Sequence, residues 1–170
     1  MQDILESGKK MRVAAYCRIS TAKEEQESSY KTQVAFFKAI IAYHPNWEMT
    51  EVYADYGITG TSVEKRKGFS RMIEDCKAGK IDLVLVKSLS RFARNTLDSL
   101  NCIRMLKERN IGVWFDEERI NTLDQSGEML ITVLSALAQE ESRNISENVK
   151  WGLRNKYAKG GCHTSRLLGY

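Results

Sequence analysis

Short apolar runs alternate with segments of helical periodicity along this chain, and this alternation limits the possible folds more than any other feature. The strongest run, residues 81–86, reads Ile-Asp-Leu-Val-Leu-Val and is apolar enough for a strand buried on both faces. Three further runs predict strands, over residues 11–17, 49–53 and 111–115. Apolar residues at helical spacing predict helices, over residues 29–43, 69–76 and 97–106. The alternation indicates an α/β fold, a mostly parallel sheet of about four to five strands wrapped by helices.

The last part of the chain predicts one long C-terminal helix. Apolar residues keep helical spacing over residues 130–153, Ser126 can cap the start, and Gly160-Gly161 can end it. A helix of about thirty residues would be about 45 to 50 Å long, more than one small domain can cover. The apolar stripe on its first half therefore predicts a partner, most simply a second copy of the chain. The alternative is a helix that kinks or breaks at Gly152.

The positive charge of the chain is concentrated near its end. The formal net charge is +4 at pH 7, and residues 143–170 carry six basic side chains against one acidic side chain. A basic segment of this kind predicts contact with a polyanion, although a solvated helix face gives the same pattern.

Cysteine usage and the N-terminus indicate the compartment. The four cysteines are widely and irregularly spaced and only two histidines accompany them, so we expect buried free thiols and no metal site. The sequence contains no signal peptide and no apolar run long enough to span a bilayer. These features predict a cytoplasmic protein with no membrane contact.

A serine follows the first predicted strand. Residues 16–21 (Tyr-Cys-Arg-Ile-Ser-Thr) bring Ser20 within two positions of Arg18. Ligands of open parallel sheets bind beyond the carboxyl ends of the strands, where this pair would suit an anion. The alternative is a solvated Ser-Thr turn that caps the next helix.

A second basic cluster follows the strand over residues 81–86. Lys87, Arg91 and Arg94 come directly after it, at the same expected sheet edge as Arg18, and the last two share a face if the segment is helical. Like charges repel, so several arginines beside one serine make a poor structural feature but a good phosphate site. No histidine base, Walker pattern or metal cluster accompanies them. Attack of serine on a phosphodiester is the chemistry that remains.

Several motifs together resemble the serine recombinase (resolvase/invertase) family, specifically its N-terminal catalytic domain. The resemblance covers residues 12–160 and rests on Tyr16-x-Arg18-x-Ser20, Ser29 with Gln33, the loop over residues 57–62 followed by Arg66-x-Gly68, Ser90-Arg91-Phe92-Ala93-Arg94-Asn95, and residues 131–143. The ending Leu167-Leu168-Gly169-Tyr170 looks like the entry to the next domain of the large branch, which includes phage integrases and mobile-element transposases. The implied organisation is a catalytic domain over residues 1–125, a helix for dimerisation and DNA contact over 126–160, and a linker to a missing DNA-binding domain over 161–170.

The resemblance also implies roles for individual residues. Ser20 matches the nucleophile, which forms a 5′-phosphoserine link and frees a 3′-OH. The residues that match the rest of the catalytic site are Arg18, Arg91, Arg94, Arg66, Gln33 and Tyr16. Supporting positions are Lys87, Glu141 (an exposed helix glutamate in the alternative interpretation) and Ser90, where small resolvases usually carry Asp. The acids Asp55, Asp116 and Glu117 are interpreted as solvated loop residues.

The implied partners are double-stranded DNA at specific attachment sites, a homodimer and a synaptic tetramer, with no cofactor, in a bacterial or phage-encoded protein. DNA backbone and minor-groove contacts are expected from the basic residues of the long helix, Lys150, Arg154, Lys156 and Lys159. The alternative function is a non-catalytic module on the same fold that binds phosphate, a nucleotide or DNA.

Overall fold

A computed structural model of the chain describes residues 10–19, 23–56, 66–93, 95–158 and 160. The strands are β1 (Met11–Ile19), β2 (Trp47–Tyr56), β3 (Leu83–Val86), β4 (Gly112–Phe115) and β5 (Ile120–Asn121). The helices are α1 (Lys23–Tyr43), α2 (Lys67–Lys77), α3 (Leu89–Phe92), α4 (Thr96–Lys107) and α5 (Gln125–Ala158).

The strands form one mostly parallel sheet in the order β2-β1-β3-β4-β5. Strand β1 pairs in parallel with β2 and β3, β3 pairs in parallel with β4, and only the short β5 runs antiparallel. Tyr16 of β1 lies opposite Tyr53 of β2 and Val86 of β3. The carboxyl ends of these three strands therefore meet at one edge, and the predicted α/β fold is confirmed.

Successive side chains of β1 enter two different buried layers, as the pleat of a strand requires. On one face Tyr16 packs with core residues from α2, α3, α4 and α5. On the other face Cys17 packs with Phe37 of α1. Because both faces are covered, the run is apolar from Val13 to Cys17, and it continues as a strand beyond the predicted end to Ile19.

The long helix α5 is continuous over 34 residues, about 50 Å, so the alternative of a break at Gly152 is wrong. Ser126 is its second residue and not its cap. The amides of Gly127 and Glu128 donate to the carbonyl oxygen of Asp124, at 3.0 and 3.4 Å, so the helix begins before Ser126. A Cβ atom at Gly127 would lie 2.5 Å from the backbone of Thr122, so glycine allows this close approach. At the other end Gly160 has a φ of 76° and bonds to the carbonyl of Tyr157, as predicted. No helix within the described ranges is both long and apolar enough to cross a membrane.

Candidate active site

The end of β1 and the segment that follows β3 meet at the carboxyl edge of the sheet, as expected from a parallel pairing. Arg18 lies near the end of β1, and its Nη2 donates to the carbonyl oxygen of Ser90 at 3.0 Å. In return, Nη1 of Arg91 lies 3.4 Å from the carbonyl oxygen of Arg18, a long hydrogen bond. Two guanidinium-bearing segments are thus bonded to each other next to the position where Ser20 follows the strand. Ser20 itself lies outside the described residues, as does Arg94.

Tyr16 is the buried centre of a polar network beside these arginines. Its hydroxyl accepts hydrogen bonds from Nη2 of Arg66 at 2.8 Å and from Nε at 3.2 Å, and it donates to Oδ2 of Asp55 at 3.0 Å. Burial raises the pKa of Tyr16 to about 12, although the hydrogen bond from Arg66 acts in the opposite direction. The hydroxyl is therefore protonated at neutral pH and serves as a donor and acceptor, not as a base.

Asp55 joins this network to the start of α2. Its carboxylate accepts from the backbone amides of Gly68 and Phe69, both at 2.9 Å, which satisfies two of the amides that a helix leaves free at its first turn. A Cβ at position 68 would lie 2.4 Å from the carbonyl oxygen of Ala54, so only glycine allows this approach. The interpretation of Asp55 as a solvated loop acid is wrong, because its carboxylate oxygens accept hydrogen bonds from Tyr16 and from two backbone amides. Its place at the end of β2, beside β1, was the signal that could have identified it.

Arg66 is held on several sides. Its guanidinium lies 3.9 Å from the ring centre of Phe69 and 5.3 Å from that of Tyr16, and it donates to the carbonyl oxygen of Phe92. Phe69, Phe92 and Phe115 also form edge-to-face contacts across the core. Arg66 therefore connects the catalytic edge of the sheet to the backbone of the segment after β3.

That segment, residues 87–95, is called the arginine loop below; Arg94 within it is not described. Helix α3 ends at Phe92, and Ala93 is extended, with φ −131° and ψ 175°. The condition for Arg91 and Arg94 to share a helix face is therefore not met, because the helix ends between them. The loop begins at Lys87, whose ammonium lies 3.5 Å from Glu117 on the exposed surface.

Hydrogen bonds made by its own side chains and by Glu118 hold the arginine loop. Glu118 accepts from the amide of Leu89 at 3.1 Å, and the hydroxyl groups of Ser88 and Ser90 lie 3.1 Å apart. At the far end, Oδ1 of Asn95 accepts from the amide of Asp98 at 2.7 Å and caps α4. The loop is held at its start, middle and end, which suits a site that must present arginines in a fixed geometry.

The resolvase N-terminal domain family matches residues 13–162, nearly the whole chain. The chain belongs to the resolvase family of serine recombinases. A resolvase/recombinase of Pseudomonas putida is 33% identical to this family member over 150 residues, which are 88% of this chain and 76% of that protein. The transposon Tn3 resolvase of Escherichia coli is 29% identical over 150 residues, 88% of this chain and 74% of its own length.

Solved structures of the family share the fold. A resolvase-family site-specific recombinase from Streptococcus pneumoniae matches with a TM-score of 0.75 and 35% identity, over 88% of this chain and 99% of that chain. The N-terminal catalytic domain of TP901-1 integrase matches with a TM-score of 0.56 and 26% identity, over 78% and 97% of the two chains. Resolvases and an integrase are both similar to this domain, so its place in the large branch stays a prediction.

The remaining site residues expected of a resolvase lie further along the helices. On α1, the amide nitrogen of Gln33 donates to Oγ of Ser29 at 3.3 Å. Glu141 of α5 accepts from the hydroxyl of Thr96 at 2.9 Å. Three of the basic residues of the long helix that are expected to contact DNA are described, and all three are exposed: Lys150, Arg154 and Lys156. Lys159 lies outside the described residues.

Cysteines take no part in the described site of this resolvase-family domain. Burial raises the pKa of the Cys17 and Cys76 thiols to about 12, which keeps both protonated. Among the residues that the structure describes, no group of three or more His, Cys, Asp or Glu side chains is placed to hold a metal ion.

Proposed function

We propose that this domain cuts and rejoins double-stranded DNA, with Ser20 as the nucleophile. The Ser20 oxygen attacks the scissile phosphorus, the bond between phosphorus and the 3′ oxygen breaks, and a 5′-phosphoserine link forms. The serine proton passes to an acceptor, and the departing oxygen takes up a proton to become a free 3′-OH. Because the phosphoserine link conserves the phosphodiester bond, the reverse attack by a 3′-OH reseals the strand.

The observation that carries this proposal is the mutual bonding of the Arg18 and Arg91 segments directly before Ser20. Negative charge builds up on the phosphate oxygens as the serine attacks, and guanidinium groups fixed in advance stabilise that charge. Arginine also matches phosphate with two parallel donors, which lysine cannot. We propose Arg94 as a third member of this group and Gln33, Ser90 and Lys87 as supporting polar residues.

Tyr16 and Arg66 complete the proposed catalytic set as positioning groups. Tyr16 is buried and neutral, so it cannot accept the serine proton at neutral pH. Its proposed role is to position Arg66 at the end of β1, through the hydrogen bonds that its hydroxyl accepts from that guanidinium. A catalytic geometry held by such buried contacts needs little reorganisation during the reaction.

The helix α5 supports a dimer as the working form. Exposed apolar residues follow one another at every fourth position along a ridge that only Glu141 interrupts: Met129, Val133, Leu137, Ile145, Val149, Leu153 and Tyr157. Because four residues are slightly more than one helical turn, the row winds around the helix by about 40° at each step. Neighbouring members of the row form an apolar ridge that favours packing against a second helix crossing it, here that of another copy. Synapsis as a tetramer is proposed from the family resemblance.

The basic end of α5 is the proposed contact with DNA. Lys150, Arg154 and Lys156 are exposed there, and Lys159 follows in the sequence. Contacts to phosphate add affinity without reading sequence, so specificity would come from a domain beyond residues 161–170. We keep the proposed division of the chain into a catalytic domain over 1–125, the helix over 126–160 and the linker.

The test is capture of the covalent intermediate. Duplexes tiled across the DNA that flanks the gene, each nicked in one strand and labelled at the 3′ ends, are incubated with wild type, Ser20→Ala and the control Ser28→Ala. We expect a denaturation-resistant protein–DNA band with wild type and Ser28→Ala, and none with Ser20→Ala. DNA binding without this band in any variant would instead favour the non-catalytic module.

A further inference from the structure

Helices α4 and α5 run antiparallel and are joined by three polar bridges along their length. The bridges are Lys107 with Glu128, Nη2 of Arg104 with Oγ of Ser135 at 2.8 Å, and Oγ1 of Thr96 with Oε1 of Glu141 at 2.9 Å. The Lys107 bridge lies at the start of α5, and the Thr96 bridge lies farthest along it. An ion pair therefore joins one end of this helix pair, and a hydrogen bond from a hydroxyl to a carboxylate joins the other.

The Thr96–Glu141 bridge lies where α5 leaves the body of the domain. Leu134 is 4% exposed and Ala138 still packs against the core, whereas every described residue after Ala138 is exposed. The free arm of α5, residues 142–158, is about 25 Å long and carries the basic side chains described above. Glu141, directly before the arm, is hydrogen-bonded to the body of the domain through Thr96.

The other partner of the bridge is joined directly to the arginine loop. Thr96 is the first residue of α4, and Asn95, the last residue of the loop, caps that helix. The hydroxyl of Ser99 also donates to the carbonyl oxygen of Asn95 at 3.0 Å. Thr96 therefore cannot shift without moving the end of the loop, because the cap ties the two together.

We propose that the Thr96–Glu141 hydrogen bond transmits the position of the free arm to the arginine loop, which makes Thr96 a positioning residue for DNA cleavage. The cleavage part of this inference rests on the proposed function. DNA that engages the arm changes the orientation of Glu141, and the bond passes this change to the N-terminus of α4 and the loop. Engagement of the arm would thereby change the position of the arginine loop at the catalytic edge of the sheet.

The first test follows amide hydrogen exchange at residues 95–99 with and without a random 40-base-pair duplex at low salt. We expect the duplex to change exchange there about three- to tenfold in wild type, as the loss or gain of one exposed hydrogen bond allows. Thr96→Val removes the donor at nearly constant volume, so it should bind the duplex equally well yet lose this response. Thr96→Ser keeps the donor and should retain it.

Lys107→Met is the matched control, because it breaks a bridge between the same helices at the end remote from the loop. It should retain the full response. An unchanged exchange rate in DNA-bound wild type, or an equal response in Thr96→Val, overturns the coupling alone. Failure of wild type to bind the duplex overturns both the coupling and the proposed contact of the arm with DNA.

The second test separates the coupling from simple stability through the rate of covalent capture. Thr96→Val should lower the single-turnover rate about three- to tenfold at unchanged DNA affinity, with Thr96→Ser and Lys107→Met near wild type. Equal rates in all variants overturn the positioning role. Absence of covalent product from wild type contradicts the proposed function, whereas the exchange measurement then still decides the coupling.

Discussion

The hydroxyl of Tyr16 lies 3.0 Å from Oδ2 of Asp55, and the same carboxylate binds two backbone amides at the start of α2. One acid thus connects the central strand, its neighbour β2 and a helix N-terminus. The catalytic edge of the sheet is built on this connection, since Tyr16 in turn holds Arg66. The consequences can be measured residue by residue.

Replacement of Asp55 should lower the stability of the fold. Asp55→Ala leaves the Gly68 and Phe69 amides and the Tyr16 hydroxyl without their acceptor, which should lower the free energy of unfolding by about 1–3 kcal/mol. Urea denaturation measures the change. Asp116→Ala, at the end of another strand, is the control and should stay within about 0.5 kcal/mol. Equal losses in the two variants would contradict the role given to Asp55.

Two glycines should respond to alanine with opposite signs. At Gly68 the new Cβ would lie 2.4 Å from a backbone oxygen, and we expect a loss of about 2–3 kcal/mol as α2 is pushed from β2. At Gly152, in the exposed arm, a Cβ meets nothing within 4 Å, so alanine should stabilise the helix by about 0.5–1 kcal/mol. Thermal unfolding of both variants tests the pair, and a stable Gly68→Ala would refute the close approach.

Alkaline pH should weaken the fold in part through Tyr16. Its pKa is near 10 in an unfolded chain and about 12 in the fold, so the unfolded state loses its proton first. The stability tied to this proton is complete below pH 10 and is lost as the pH rises from 10 to 12. Tyr16→Phe should flatten the decline in unfolding free energy over this window, whereas Tyr43→Phe, 85% exposed, should not. Parallel curves for Tyr16→Phe and wild type would argue against a buried, neutral hydroxyl.

The apolar ridge of α5 should govern self-association. Ile145→Asp introduces a charge at a ridge residue that is 64% exposed in the single chain, so the domain should fold normally but dimerise at least tenfold more weakly. Ser146→Asp places the same charge one residue away, off the ridge, and should leave the dimer intact. Sedimentation equilibrium distinguishes the two variants, and equal association constants would exclude the ridge as the interface.

Hydrophobic periodicity in the sequence predicted the helices and strands that are long enough to contain a repeat. The helical and strand patterns of residues 81–106 found β3 and α4 almost to their ends, because packing and local preference agree there. The two-residue strand β5 and the four-residue helix α3 are too short to carry a period, and tertiary contacts alone create them.

The site was only partly predictable for a related reason. The meeting of Arg18 with the loop after β3 follows from parallel pairing and could be read from sequence order. Two of the hydrogen bonds to the Asp55 carboxylate come from backbone amides, and no pattern of side chains in the sequence predicts such bonds. The end of α3 before Arg94 depends on Ala93, whose extended backbone stops the helix within an otherwise helical pattern.

The central claim is that Ser20 becomes covalently joined to a DNA 5′ phosphate, and mass spectrometry of the trapped complex tests it most directly. Trypsin should release residues 19–23 (Ile-Ser-Thr-Ala-Lys) from the denatured, nuclease-treated complex, with Ser20 and Thr21 as the hydroxyls available. We predict that fragment ions carry the added 5′-nucleotide on Ser20. A nucleotide on Thr21 or on any other peptide, or a covalent complex that persists in Ser20→Ala, would contradict the account.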